Sequence, residues 1–356
     1  PLEAWLTTCS DIAVLEVHEG TWRFAHDKLR EAVLDEFTDD DRRHWYGQAA
    51  HVIEKVYPHQ EAYLLQLAKF WRVAENVVKE TDTIIAAGNL QLRFSSFMEA
   101  VLCYQRAQEL LPKEDIRRCD ILINMGEANA LAGNFALAKE YLDEGLTLAR
   151  QFGDYHRMIQ ALGEIGRINI LRDGDLAKAQ TALEEGLIIA SELNEPQPLS
   201  IIYRQMGNYG IVTGNYDTAR ENLEKSVAYA RTAKDYIRLS LSLNSLSHTY
   251  AEQGRFEEAL AMSAEVRQIA SDLGNRRILM FGITHMGLVA LRQKDYAQAL
   301  KHFLDGLELC YQTGDQEKIV TVENYVGTCY HGMGDIVKAE KHWKQALDKG
   351  VRFKIL

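Results

Sequence analysis

The stretch Tyr203–Ala230, YRQMGNYGIVTGNYDTARENLEKSVAYA, places two glycines, an aromatic residue and an alanine at fixed spacing. Gly207 is followed by Gly214, Tyr216 and Ala219. Small residues mark the point where two helices cross, because a larger side chain would hold the backbones apart. A glycine just after a helix accepts the positive φ that ends it. The stretch therefore predicts two helices joined by a tight turn at Gly214.

The same pattern recurs along the chain with a nearly constant period. The first small residues of six copies are Gly126, Gly166, Gly207, Ser247, Gly287 and Gly327, which gives steps of 40, 41, 40, 40 and 40 residues. A further copy begins at Gly88, 38 residues before Gly126. One helical hairpin cannot bury its apolar face alone, so seven copies predict an array in which each hairpin packs against the next.

This pattern resembles the tetratricopeptide repeat (TPR), in the longer variant of about 40 residues. The resemblance covers roughly residues 82–350 and implies an all-α fold, a right-handed α-solenoid with a concave groove. Three positions depart from the pattern: Ser247 replaces the first glycine, Lys294 replaces the turn glycine, and Glu323 occupies a usually apolar site. Because Glu323 belongs to the last unit, we expect that unit to be a cap with a solvated outer face.

A concave groove of this type is a binding surface, and in TPR arrays the first helix of each pair lines it. The inward positions are expected three before, two before and one after each leading small residue. The predicted groove residues are Asn124, Glu127, Glu164, Arg167, Arg204, Gln205, Asn208, Asn244, Ser245, His248, His285, Asn324 and Tyr325. Amides both donate and accept hydrogen bonds, and arginine grips a carboxylate or phosphate. We expect a protein or peptide ligand; the alternative is a solvated groove that binds nothing.

The beginning of the chain has a different character. The run DIAVLEVHEGTWRFAHD alternates in polarity and predicts a β-hairpin that turns at residues 18–20. Asp27 is expected to cap a helix that continues to about Phe37, and Thr38 or a following aspartate to cap the next one. A β-wing beside helices indicates the end of a winged-helix domain. The predicted domains are residues 1–57 as this winged-helix remnant, 58–81 as a degenerate leading hairpin and 82–356 as the repeats.

The segment RFAHDKLREAV, residues 23–33, resembles the winged-helix segment of STAND-type signalling ATPases. Its His-Asp pair is similar to the Met-His-Asp motif of that class, with Ala25 in place of methionine. The resemblance implies that His26 contacts the β-phosphate of ADP on a nucleotide-binding domain outside this chain. The repeats would then be a sensor that relieves autoinhibition and allows oligomerisation of the parent protein. The neutral alternative is that His26 caps or packs locally.

Composition and motifs limit the other functions. The chain has 356 residues with a formal net charge of -11, which argues against a general nucleic-acid binder. The five cysteines show no zinc spacing, which indicates a reducing, cytoplasmic location. No P-loop, metal motif or nucleophile–base arrangement occurs, so we expect this chain to have no catalytic activity, no metal and no cofactor. ATP or ADP is expected to bind only to the parent protein. No apolar run is long enough to span a membrane.

Two other functions stay open. One is a standalone peptide-receptor regulator of the quorum-sensing type, which has similar repeats but opens with a helical domain. The other is a passive scaffold that joins protein partners. Because the chain begins with Pro1, we expect it to be a piece of a longer protein, and an upstream P-loop would favour the STAND reading over both.

Overall fold

The computed structural model describes residues 2–18, 21–57, 61–94, 96–170 and 174–352. The chain forms two compact units, Pro1–Ala87 and Gly88–Leu356. Each is described by itself.

The first unit contains a small antiparallel sheet among helices. Its elements are α1 (Leu2–Asp11), β1 (Leu15–His18), β2 (Thr21–Phe24), α2 (Asp27–Asp35), α3 (Asp39–Val56), a 3-10 turn (Glu61–Tyr63), α4 (Leu64–Val73) and the start of α5 (Val77–Arg93). Strand β1 pairs with β2 so that Leu15 faces Phe24. The predicted hairpin is therefore present; residues 19–20 of its predicted turn lie outside the described residues. Trp71 of α4 is buried together with Ala50 of α3.

The helix starts of this unit correct one prediction and confirm another. Asp27 does not cap α2: the N-cap is His26, whose backbone is extended, and Asp27 is already the first helical residue. Helix α2 also ends at Asp35, short of Phe37. Helix α3 begins after Thr38 as expected, with a reciprocal capping box. The Asp41 N–H donates to Thr38 Oγ1 and the Thr38 N–H donates to the Asp41 carboxylate, each at 3.1 Å.

The second unit is a succession of helical hairpins. Its remaining helices are α6 (Phe97–Leu110), α7 (Arg117–Leu131), α8 (Phe135–Phe152), α9 (Tyr155–Ile168), α10 (Leu176–Leu193), α11 (Pro196–Val212), α12 (Tyr216–Thr232), α13 (Tyr236–Glu252), α14 (Phe256–Leu273), α15 (Arg276–Arg292), α16 (Tyr296–Thr313), α17 (Gln316–Gly332) and α18 (Ile336–Arg352). From α7 onward, each odd-numbered helix packs against the even-numbered helix that follows it.

Each leading glycine faces one large side chain of its partner helix. A Cβ on any of these glycines would lie 2.4–2.8 Å from the nearest atom of that side chain. The pairs are Gly88–Tyr104, Gly126–Leu142, Gly166–Leu183, Gly207–Leu223, Gly287–Phe303 and Gly327–Trp343. The glycine is required at these positions because the large side chain fills the space between the helices.

Two of the departures from the pattern have a local explanation. Ser247 faces Ser263, and their hydroxyl oxygens lie 2.8 Å apart, so a hydrogen bond replaces the glycine–leucine contact. Lys294 adopts a φ of 61°, in the left-handed region that Gly214 occupies with a φ of 73°. The turn geometry is therefore kept where the glycine is lost.

The third departure, Glu323, corrects the expectation of a solvated cap. Its side chain is buried on α17. The Tyr311 hydroxyl donates to its carboxylate at 2.9 Å, Lys349 Nζ lies 2.8 Å away and His342 Nδ1 2.7 Å away. Burial opposes ionisation, but these hydrogen bonds lower the pKa of Glu323. The last unit thus holds a buried, paired carboxylate.

The odd-numbered helices form the inner layer of the second unit. Helix α7 packs against α9, α9 against α11, α11 against α13 and α13 against α15, in addition to the contact that each makes with its hairpin partner. Among the described residues, the even-numbered helices make no comparable contact with one another. Helices on the concave side of a curved stack lie closer together than those outside, so the odd-numbered helices carry the concave face.

Candidate ligand groove

Three adjoining cavities follow the concave face of the second unit, with volumes of about 270, 210 and 350 Å³. We call them the first, central and third cavities, and together the groove. The first and central cavities share Glu127, Glu164 and Arg204. The central and third cavities share Asn208 and Lys318. The groove is therefore continuous across α7, α9, α11, α13, α15 and α17.

The structure places nearly all of the predicted groove residues on these walls. The predicted residues of the first cavity are Asn124, Glu127, Glu164 and Arg204. Those of the central cavity are Glu127, Glu164, Arg167, Arg204, Gln205 and Asn208. Those of the third cavity are Asn208, Asn244, Ser245, His248, His285 and Tyr325. Asn324 lines none of the three and is exposed. Whether any of these residues contacts a ligand stays a prediction.

Charged side chains concentrate in the first and central cavities. Arg167 Nη2 lies 2.7 Å from Glu164 Oε2 on the same helix. Burial opposes the ionisation of Glu164, but Arg167 and Arg204 lower its pKa. Burial, together with the charge of Glu164, raises the pKa of Glu127. Glu164 is thus held as the anion of an ion pair, whereas the charged form of Glu127 is disfavoured.

Arg204 differs from its neighbour Arg167. Burial lowers the pKa of Arg204 to about 10, which still leaves the guanidinium charged at neutral pH. Within the described ranges it has no hydrogen bond or ion pair, and it lines both the first and the central cavity. This guanidinium is therefore free to interact with a molecule in the groove.

Two amide side chains of the groove also have unused hydrogen-bonding capacity. Gln205 is fully buried; its Oε1 accepts from Asn208 Nδ2 at 3.0 Å, while its Nε2 has no partner in the described part of the chain. Asn244 Oδ1, in the third cavity, likewise has no described partner. Buried polar groups are nearly always hydrogen-bonded in native proteins, so these atoms mark positions where a ligand can bind.

The third cavity is lined by fewer charged side chains than the other two. The rings of His248 and His285 meet edge to face, with centroids 6.1 Å apart. Burial lowers the pKa of both imidazoles, that of His285 to about 3. His285 is therefore neutral at physiological pH, and its Nδ1 lies 3.1 Å from the Phe281 carbonyl oxygen. This end of the groove combines the two imidazole rings with amides, Tyr325 and the cation Lys318.

Sequence reasoning missed several groove residues near the beginnings of the inner helices. Arg277 lies over the rings of Phe97 and Phe281, 5.7 Å from each centroid. Arg238 and Lys318 also line the cavities. Both lie nine residues before a leading small residue, and this recurrence of cations at one repeat position is the signal that could have revealed them.

His26 lies in the first unit, at the junction of β2 and α2. Its side chain is exposed and makes no capping hydrogen bond with α2. His26 therefore occupies the N-cap position of α2, but its side chain does not cap the helix as the neutral alternative expected. The residues that the structure describes hold no group of three potential ligands for a metal ion. Among them, no helix is long and apolar enough to cross a membrane.

Comparisons with known proteins identify the repeats. Residues 95–265 match the family model described as the MalT-like TPR region, and residues 279–349 match a tetratricopeptide repeat model. A comparison with curated proteins gives no match. The predicted TPR α-solenoid is confirmed.

Solved structures share the fold at low sequence identity. A Rap protein complexed with competence and sporulation factor is 15% identical with a TM-score of 0.67, over 92% of this chain and 91% of that chain. A Rap conjugation gene regulator in complex with a Phr peptide is 14% identical with a TM-score of 0.67, over 79% and 76%. A STAND protein with a tetratricopeptide repeat sensor, from Pyrococcus horikoshii, is 17% identical with a TM-score of 0.58, over 97% of this chain and 52% of that one. The chain spans about half of that STAND protein.

Proposed function

We propose that this tetratricopeptide-repeat solenoid is the sensor of a STAND signalling ATPase and that its groove binds a peptide or a protein segment. The observation that carries the proposal is a pair of groups on the groove walls, Gln205 Nε2 and Asn244 Oδ1, that have no hydrogen-bond partner among the described residues. A peptide in extended form presents donors and acceptors along its length, and amide side chains satisfy both. Three adjoining cavities give such a ligand a continuous path.

The first unit supports the STAND assignment. The exposed His26 side chain stands at the N-terminus of α2, where the backbone N–H groups and the helix dipole favour an anion. In the parent protein this anion would be a phosphate of ADP on the nucleotide-binding domain. Ligand binding would favour the open state, release that domain and permit nucleotide exchange and oligomerisation. We propose that this chain is itself non-catalytic. ATP or ADP would bind to the parent protein, whose proposed location is the cytoplasm.

A second candidate is a standalone peptide receptor. It is favoured by the alignment with the Rap protein, which covers nearly the whole of both chains. The two candidates share the groove and differ in what the first unit contacts. A passive scaffold would need no change of state on binding.

Binding can be tested with two matched double variants. We expect a partner or peptide captured by the wild-type chain to bind less tightly to Arg204→Ala with Asn208→Ala, because both side chains line the groove. The melting temperature should fall only slightly, because Asn208→Ala removes one hydrogen bond, the one to Gln205 Oε1. The control is Glu221→Ala with Lys301→Ala, on exposed positions of the outer helices α12 and α16. Equal affinity for all three proteins would refute a ligand in the groove.

The STAND assignment is tested separately in the longer protein. His26→Ala should raise resting ATPase or output activity there, because a contact with bound ADP is lost. The same substitution in this chain should leave its melting temperature unchanged, since the side chain is exposed. Peptide binding without any effect of His26 would favour the standalone receptor.

A further inference from the structure

A fourth cavity of the second unit, which we call the arginine cavity, shares only Arg277 with the groove. Its volume is about 520 Å³, larger than that of any groove cavity. Arg93, the last residue of α5, lines it together with Arg276 and Arg277, the first two residues of α15. None of the described residues that line it is acidic. In a chain with a formal net charge of -11, this cavity is a local reversal of charge.

The arginine cavity joins parts of the chain that are far apart in sequence. Arg93 and Phe94 lie at the end of α5, residues 273–277 lead from α14 into α15, and residues 312–313 lie at the end of α16. The Arg277 guanidinium lies 5.7 Å from the centroid of the Phe97 ring on α6. The cavity therefore exists only where the curved array brings α5 and α6 against α15.

The helix that the two arginines begin does not explain them. A cation in the first turn of a helix is unfavourable, because the free N–H groups and the dipole attract anions there, and the first turn of α15 contains no acid. Over the ranges that the structure describes, Arg276 has no hydrogen bond or ion pair. Arg277 Nε lies 4.0 Å from the Asp315 carboxylate and makes no hydrogen bond with a described residue. Arg93, by contrast, lies in the last turn of α5, where a cation is favourable.

Other groups around the start of α15 have partners of their own. The Asp272 and Glu308 side chains accept hydrogen bonds from glutamine side chains of their own helices, at 2.9 and 3.2 Å. The carbonyl groups at the end of α14 accept the backbone N–H groups of residues 274–275. Arg277 also faces the groove, where it opposes the rise in the pKa of Glu127. The charge of Arg276 is therefore not neutralised by these groups and can be used by a bound anion.

We propose that the arginine cavity binds a small organic phosphate, whose phosphate groups contact the three guanidinium groups and whose apolar part packs against Phe94. A phosphate ester carries a charge of about −1.5 to −2 at pH 7 and three acceptor oxygens, and a guanidinium can hold two of them at once. The Phe94 side chain is 60% exposed and offers a flat apolar surface. Asn275 Oδ1 accepts the Ile278 N–H at 3.1 Å, which leaves its amide group as a further donor.

The size of the cavity and its place favour a small molecule over an inorganic ion. A volume of about 520 Å³ is typical of sites for small organic ligands and exceeds what a single phosphate ion needs. Such a ligand would hold the end of α5 against the start of α15. The inference goes beyond the proposed function, because a peptide in the groove neither requires nor fills this cavity.

Binding is tested by isothermal titration calorimetry of the whole chain with inorganic pyrophosphate, ADP and adenosine. We expect ADP to bind more tightly than pyrophosphate and adenosine not to bind. Arg93→Gln with Arg276→Gln should weaken binding of both anions by about 10-fold or more. The control is Lys301→Gln with Lys344→Gln, which removes the same charge at exposed positions and should bind like wild type. Phe94→Ala should reduce the affinity for ADP to that for pyrophosphate.

Each contrary result overturns a stated part of the inference. If neither anion binds, or if both bind the arginine variant as tightly as wild type, the phosphate site is refuted. If pyrophosphate binds as tightly as ADP and Phe94→Ala has no effect, an organic ligand is refuted. If a phosphoserine hexapeptide binds more tightly than ADP, the occupant is a phosphorylated protein segment and not a small molecule. None of these outcomes depends on the groove variants, so the proposed function stands or fails separately.

A second measurement needs no ligand. Arg276→Glu places an acid at the first position of α15 and removes one of three like charges, so the melting temperature should rise by about 1–3 °C at low ionic strength. High salt should reduce this gain, and the variant should no longer bind ADP. Lys301→Glu, within the exposed face of α16, is the control and should change the melting temperature less. A fall for Arg276→Glu would show that the folded chain itself requires this cation, and would overturn the inference.

Discussion

The hairpins α11–α12 and α13–α14 occupy neighbouring places in the array and cross at equivalent positions, yet different chemistry fills the crossing. In α11–α12, Gly207 leaves room for Leu223, which is fully buried. In α13–α14, Ser247 and Ser263 share the space and are joined by a hydrogen bond. Two small side chains joined by a hydrogen bond therefore take the place of a glycine and one large side chain at this crossing. A sequence pattern that requires glycine at this position does not detect the serine pair.

The largest effect is expected where the crossing is tightest. The Cβ added by Gly207→Ala would lie 2.4 Å from Leu223 Cγ, closer than real atoms approach. Because Leu223 is fully buried and cannot move aside freely, we expect a loss of about 1–3 kcal/mol in the free energy of unfolding. Urea denaturation followed by circular dichroism measures it.

The control for this prediction is the same substitution in a Leu223→Ala background. There the Cβ has room, so Gly207→Ala should cost much less, and the double-mutant cycle should show strong coupling. An equal loss in both backgrounds would mean that the glycine serves another purpose than making room for Leu223.

The serine crossing should respond to polarity rather than volume. Ser247 Oγ donates to the Ala259 carbonyl at 2.8 Å and also meets Ser263 Oγ. Ser247→Ala leaves a buried hydroxyl without this partner, so we expect a loss of about 1–2 kcal/mol in the free energy of unfolding. Ser271→Ala, at an exposed position of α14, should change it little.

A double substitution converts one crossing into the other. Ser247→Gly with Ser263→Leu rebuilds the glycine–leucine contact and should recover most of the stability that Ser247→Gly alone loses. If the double variant is as unstable as the single one, the two crossings are not interchangeable.

The architecture could be predicted from the sequence because small residues, which the close packing of two helices requires, recur once in every repeat. The steps between Gly126 and Gly327 located every hairpin of that region, and the departures at Ser247 and Lys294 were visible as departures. The way in which the structure compensates for these departures could not be predicted, because it depends on which side chain of the second helix lies opposite. Glu323 was expected to lie at a wet surface, because its partners Tyr311, His342 and Lys349 come from three different parts of the sequence.

The groove was predictable within a limit set by the same local reasoning. Counting from each leading small residue selects the two middle turns of an inner helix, and Arg204, Gln205 and Asn208 come from there. Arg277 and Lys318 lie at the helix beginnings, yet they line the same cavity as Glu127 of α7. Their approach depends on how tightly the array curves, which small rotations between successive hairpins determine and no single repeat encodes.

The smallest effect concerns the turns of the two hairpins α11–α12 and α15–α16. Lys294 holds a φ of 61°, which costs an L-residue about 1–2 kcal/mol, whereas Gly214 holds 73° without strain. Both positions are exposed and a Cβ at Gly214 would meet no atom of the described residues within 4 Å, so the backbone conformation determines the effect of the substitution. Lys294→Gly should therefore raise the free energy of unfolding by about 1 kcal/mol, and Gly214→Lys should lower it by a similar amount. Because the two substitutions are mirror images, a change of the same sign in both would show that the lysine side chain, and not the backbone, determines the stability of these turns.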